Sequence, residues 1–279
     1  MKHKKGSEET IPQDHPRYLS LKIRHDITQG FEDKVVAKAG LIAHGRGEAF
    51  DYLLGECTNP PAMEAIRAAA AAFLLAKHPV ISVNGNVAAL VPGELVKLSQ
   101  AVKAPLEVNL FYYAKERVSA IKKYLMKAGA EAQNILGLKP EEQVSIPELS
   151  SNRRRVDPKG IFNADLVLVP LEDGDRTQAL KKMGKKVIAI DLNPLSRTAQ
   201  WADITIVDNV VRCMPLLIQE VENLKGKETE LLEIIESFDN KQNLGQMIEL
   251  IGNYLHDLAE KGIYIPEAAM VFAEMKEDT

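Results

Sequence analysis

The sequence predicts an α/β protein with a doubly wound, mostly parallel sheet and additional N-terminal and C-terminal helices. Two observations carry this. Between residues 79 and 209 short β-branched runs alternate with polar turns and helical stretches, the pattern of parallel βαβ units. Before and after that segment the periodicity is helical alone.

Residues 1–10 read as a disordered tail, and 11–279 as one α/β unit: helices over 11–78, a sheet core over 79–209, helices over 210–279. Ile11-Pro-Gln-Asp14-His15-Pro16 sets up a helix entry. Arg17 to Gln29 follows as a helix that Gly30 stops, with Arg17 and Arg24 sharing a face. A short helix over 31–39 then runs into Gly40-Leu-Ile-Ala-His44-Gly45-Arg46-Gly47-Glu48-Ala-Phe-Asp51-Tyr-Leu-Leu-Gly55-Glu56, with helix from Glu48 to Leu54 and another from Ala62 to Lys77.

The strands of the core are Pro79–Val83, Leu106–Leu110, Asn134–Leu138, Ala164–Val169, Lys186–Ile190 and Ile204–Val207. Helices fall at Pro92–Val102, Glu116–Ala128 and Thr177–Met183, and Ser151 to Pro158 is a long polar connection. The closing helices are Val210–Lys225, Glu228–Phe238 and Leu244–Lys261.

Composition narrows the function. The 279 residues are 46% hydrophobic and 27% charged with net charge -4, so there is ample core and no basic field for nucleic acid. No apolar run approaches the roughly 20 residues of a membrane span. The start of the chain lacks the apolar centre of a signal peptide, which makes a cytoplasmic location the expectation. Cys57 and Cys213 lack metal-ligand or CxxC spacing and read as structural.

Four glycines beside a histidine, an arginine and carboxylates mark Gly40–Glu56 as an active-site wall. It is neither a dinucleotide fingerprint, since Phe50 stands at the third glycine, nor a phosphate loop, since Arg46-Gly47 replaces Lys-Ser/Thr. Arg46 still suits phosphate through its planar fork. His44 is a candidate general base or a structural histidine.

Ligands of open parallel sheets bind beyond the carboxyl ends of the strands. Those ends carry Asn84-Gly85-Asn86, Glu172 to Thr177, Asp191-Leu192-Asn193 with Arg197 and Thr198, and Asp208-Asn209-Val210. Asp191 either accepts from ribose hydroxyls or caps a helix, and Arg197 with Thr198 either reaches phosphates or a purine edge or is solvated. Asp173 or Asp175 reads as a helix N-cap ahead of a magnesium ligand. Arg153, Arg154 and Arg155 suit a phosphorylated substrate unless they are simply solvated.

Ile11-Pro-x-Asp14-His-Pro-Arg-Tyr-x-Ser-Leu21, the Gly40–Glu56 run and Asp191-Leu-Asn-Pro-Leu-Ser-Arg-Thr-Ala199 together resemble the archaeal 4-phosphopantoate-β-alanine ligase family, phosphopantothenate synthetase. The resemblance implies a Rossmann-like homodimer that uses ATP with Mg2+ to join 4-phosphopantoate and β-alanine through an acyl-adenylate. It implies ATP contacts at Arg24, Arg46, Asp191, Leu192, Asn193, Arg197, Thr198, Asn209 and Val210. Within that frame Arg24 and Arg46 are expected at phosphates, Asp191 at the ribose and Asn209 on the adenine side. Loop position alone suggests Arg153, Arg154, Arg155, Asn84 and Asn86 for the second phosphorylated substrate. The alternatives are an NAD(P)-dependent oxidoreductase and a non-catalytic nucleotide binder.

Overall fold

The structure, a computed structural model, describes residues 12–15, 17–146 and 154–262. The expected tail over 1–10, the Ile11 and Pro16 parts of the helix entry, and Ser151 to Arg153 lie outside those residues. Three helices open the described chain: α1 (Tyr18–Glu32), α2 (Lys38–Leu53) and α3 (Pro60–Leu75). The alternation follows as β1 (Pro79–Val83), α4 (Gly85–Leu90), α5 (Pro92–Val102), β2 (Leu106–Val108), α6 (Lys115–Lys127) and β3 (Ile135–Leu136).

A small antiparallel hairpin, β4 (Val144–Ser145) with β5 (Arg155–Val156), interrupts it. Then come β6 (Leu166–Pro170), α7 (Gly174–Lys182), β7 (Lys186–Ile190), α8 (Arg197–Trp201) and β8 (Ile204–Ile206). Helices α9 (Val210–Leu224), α10 (Glu228–Ser237) and α11 (Asn240–Lys261) close it.

The six sheet strands run parallel in the order β3-β2-β1-β6-β7-β8. Counted within the sheet this is 3-2-1-4-5-6, the doubly wound Rossmann order, and β1 and β6 meet at its switch point. Strands β1 and β6 are buried along their whole length, as expected of apolar runs covered on both faces. On one face Ala65 to Ala72 of α3 supply small side chains that let the helix sit close against the sheet and α9. The other face packs Val80, Val167, Val169 and Val187 against Ala179 and Leu180 of α7.

Several local expectations need correction. Gly30 does not stop α1, which continues to Glu32, and residues 33–37 form a turn, so the expected separate helix over 31–39 is split between the end of α1 and the start of α2. The glycine run is helical from Lys38, although each internal glycine costs about 1 kcal/mol of propensity. Close packing outweighs that cost at Gly40, where a Cβ would stand 2.4 Å from the Asn86 Oδ1. Asn84-Gly85-Asn86 opens helix α4 where a plain turn was expected, and the polar connection contains β5.

Candidate active site

A cleft of about 720 Å³ opens over the carboxyl ends of β1, β6, β7 and β8, roofed by α1 and α2. At its floor Asp191 ends β7, and its carboxylate accepts from the Asn193 N–H at 3.0 Å and from the Ser196 hydroxyl. Ser196 also caps α8 by accepting from the Ala199 N–H, and the Asn193 side chain accepts from the Leu195 N–H. Short polar side chains thus brace the 191–196 turn against its own backbone. Burial pushes the Asp191 carboxyl above the usual range, opposed by those hydrogen bonds and by the charge of Arg46.

The neighbouring turn after β6 is tied to the same floor. Thr198 donates to the Glu172 carbonyl at 2.8 Å. Gly174 comes so near α8 that a Cβ there would lie 2.4 Å from the Arg197 Cβ, so only glycine lets the two turns close. Asp173 caps α7 by accepting from the Arg176 N–H, as the sequence suggested. Arg197 pairs with Asp175 at 2.6 Å on the exposed rim.

From the roof, α2 lowers Arg46 and His44 into the cleft, and Gly47 brings the helix against the buried Leu192. Four arginines line the cleft: Arg17, Arg46, Arg197 and Arg212. Among the described residues Arg17 pairs with Glu56, Arg197 with Asp175 and Arg212 with Asp51 and Asp208, whereas Arg46 forms no ion pair or hydrogen bond. Its guanidinium is therefore the cleft's available cation, facing Asp191. Burial pushes the half-buried His44 imidazole below its ordinary value, so it is neutral at pH 7.

The structure gathers Arg46, His44, Asn86, Asp191, Leu192, Asn193, Arg197, Thr198, Asn209 and Val210 around this one cleft. It does not bring the others in. Arg24 lies outside, bound through Nε and Nη2 to Glu48 and through Nη2 to Tyr52. Asn84 is buried, its amide donating to the Pro170 and Leu171 carbonyls while its oxygen caps α4, so it joins β1 to β6. Arg154 and Arg155 are exposed beside the β4–β5 hairpin, Arg155 lining a separate hollow of about 170 Å³. Arg153 lies outside the described residues.

The Asn209 side chain is also committed, accepting from the Val211 N–H and donating to Asp51 at 2.8 Å. Sequence reasoning placed Asp208 at the sheet edge without a partner and missed Arg212, its partner one turn along α9. Their i,i+4 spacing was the available signal.

The start of α4 packs closely on the 33–37 turn. Gly85, at the start of α4, faces the Val35 carbonyl, which would lie 2.3 Å from an added Cβ. The glycine after β1 thus makes room for the 33–37 turn.

A family model described as phosphopantothenate/pantothenate synthetase matches residues 61–254. A 4-phosphopantoate--beta-alanine ligase of Thermococcus kodakarensis is 55% identical over 255 residues, spanning 91% of this chain and 97% of its own. Its namesake in Thermococcus onnurineus is 54% identical over the same shares, and that of Methanosarcina mazei is 48% identical over 91% of this chain and 99% of its own. With the parallel sheet, the braced Asp191 turn and the helical glycine run in place, this chain belongs to the phosphopantothenate/pantothenate synthetase family.

Proposed function

We propose that the protein is an ATP-dependent ligase that condenses 4-phosphopantoate with β-alanine to 4'-phosphopantothenate, releasing AMP and pyrophosphate, in coenzyme A biosynthesis. One observation carries the reading: the chain spans 97% of a ligase of that name at 55% identity. The cleft suits the chemistry, because its unpaired arginine faces the acidic turn at the end of β7.

A carboxylate is a poor acyl donor to an amine, so activation comes first. The 4-phosphopantoate carboxylate oxygen bonds to the α-phosphorus of ATP, the α–β phosphoanhydride bond breaks, and pyrophosphate leaves. The β-alanine nitrogen then attacks the acyl carbon, the acyl–oxygen bond breaks, and AMP leaves with that electron pair. Arg46 neutralises charge gathering on the transferring phosphate, and His44, held neutral, accepts the proton that the amine gives up.

Asp191 and Asn193 hold the ribose, Arg197 and Thr198 border it, and the backbone of Asn209 and Val210 meets the adenine, since the Asn209 amide is already engaged. Arg24 reaches the nucleotide only by exchanging Glu48 for phosphate. Arg154 and Arg155 stand outside the cleft, so the 4-phosphate falls to Arg17, whose partners Tyr52 and Glu56 lie near the rim. The residues described do not build a magnesium cage, since no three His, Cys, Asp or Glu among them cluster suitably. Magnesium commonly rides on substrate phosphates, where it offsets their charge.

We place the enzyme in the cytoplasm as a homodimer. No described helix is long and apolar enough to cross a membrane. Ile248 and Leu255, seven apart on α11, leave apolar surface exposed and support self-association, which sedimentation tests. The activity is tested by mass spectrometry of incubations with ATP, 4-phosphopantoate and β-alanine. Product that requires all three supports the reading, and none with active, folded protein refutes it.

A further inference from the structure

Helix α2 carries Arg46 and His44 yet is held in an unusual way: its single buried residue is the charged Asp51. Both Asp51 oxygens are taken by Arg212, Nη2 to Oδ1 at 2.6 Å and Nη1 to Oδ2 at 3.1 Å. The same guanidinium turns its Nε and Nη2 to Asp208 Oδ1, at 2.9 and 2.6 Å. Asp208, fully buried at the end of β8, also accepts from the Thr58 hydroxyl at 2.6 Å and the Asn209 N–H. Arg212 therefore fastens the roof helix to the last strand end, and Asp208 adds the α2–α3 connection through Thr58.

The anchoring face also carries His44. His44, Gly47 and Asp51 are spaced at i, i+3 and i+7, so they share one side of α2, and Gly47 rides on Leu192 of the nucleotide turn. Seating of Asp51 thus sets the rotation of the helix about its axis and, with it, where Arg46 hangs over Asp191. Leu41 and Phe50 also pack α2 against the core, but apolar contacts tolerate small slips. A bidentate guanidinium–carboxylate pair holds one geometry.

We infer that Arg212 and Asp51, which pair with each other at the wall of the cleft, form a positioning latch, which fixes the register of α2 so that Arg46 and His44 meet the reacting groups. This rests on the ligase reading for its kinetic consequences and on the geometry alone for its structural ones.

The test uses Arg212→Lys, which keeps the charge and loses the fork, and Asp51→Asn, alone and together. Each single variant should lower kcat by about a hundredfold while the KM for ATP moves by less than about threefold, since a misplacement near 1 Å costs that much in rate. The double variant should be no slower than the worse single one, because the pair acts as a unit. Amide exchange across Lys38–Leu53 should accelerate about tenfold while the sheet stays protected.

A role confined to holding the fold predicts lower Tm values with kcat intact below the transition, and that result overturns the latch, as do additive losses. If Asp51→Asn does not fold, Arg212→Lys carries the test. If the wild-type protein makes no AMP, the ligase reading fails and the exchange measurement decides the latch by itself, unchanged α2 protection refuting it.

Discussion

Asn86 donates its Nδ2 hydrogen to the Gly40 carbonyl across 2.9 Å, tying the glycine-rich helix α2 to α4, the first helix after β1. The contact exists because residue 40 has no side chain. It shows that the glycines of α2 are not equivalent, which stability measurements resolve.

Gly40→Ala drives a Cβ into Asn86 and against Val36, so it should destabilise by about 1–3 kcal/mol through overpacking. Gly45 meets nothing within 4 Å, so Gly45→Ala should stabilise by about 0.5–1 kcal/mol through helix propensity alone. Urea titration of both variants checks the opposite signs. Nothing in the packing explains a glycine at 45.

Glu107 gives a pH signature. Fully buried in β2, its carboxylate accepts from the Asp157 and Ile161 N–H groups, and burial pushes it up to about 7 despite those bonds and the nearby Arg176. The folded chain therefore keeps a proton that the unfolded chain has lost between its ordinary value of 4.5 and about 7. Stability from this group is intact below that window and falls as pH rises through it, by up to about 3 kcal/mol. Glu107→Gln should flatten the slope between pH 5 and 8, whereas equal slopes in both proteins would remove the assignment.

As the proposed base, His44 should set the pH dependence of turnover. Its imidazole is pushed below 6.5 chiefly by burial, so the acid limb of kcat/KM should lie below that value. His44→Gln should lower the plateau and abolish the limb. A limb that persists unchanged in the variant would assign the proton elsewhere.

The sheet was legible because its signals are local. The apolar runs Pro79–Val83 and Lys186–Ile190 match the observed strands end to end, and the polar turns after them do share one edge. What stayed hidden depends on distant partners. Glycine propensity argued against helix at Gly40, and only the contact with Asn86, far along the chain, reverses it. Arg153-Arg154-Arg155 stood out as the densest basic run, yet β5 pairs with β4 and carries the described part of it away from the cleft. Arg212 passed unnoticed because its meaning comes from Asp51, on a different helix. Arg46 was found because an arginine between glycines is unusual, although its being unpaired is a property of the fold alone.

The proposed adenylation turns on Arg46, unpaired among the described residues, neutralising the transferring phosphate. AMP release measured with ATP, 4-phosphopantoate and β-alanine, for the wild-type protein and Arg46→Ala, tests it most directly. AMP formation should require both 4-phosphopantoate and β-alanine and fall by at least about a hundredfold in the variant. Release of ADP, or AMP turnover in Arg46→Ala equal to wild type, would contradict it.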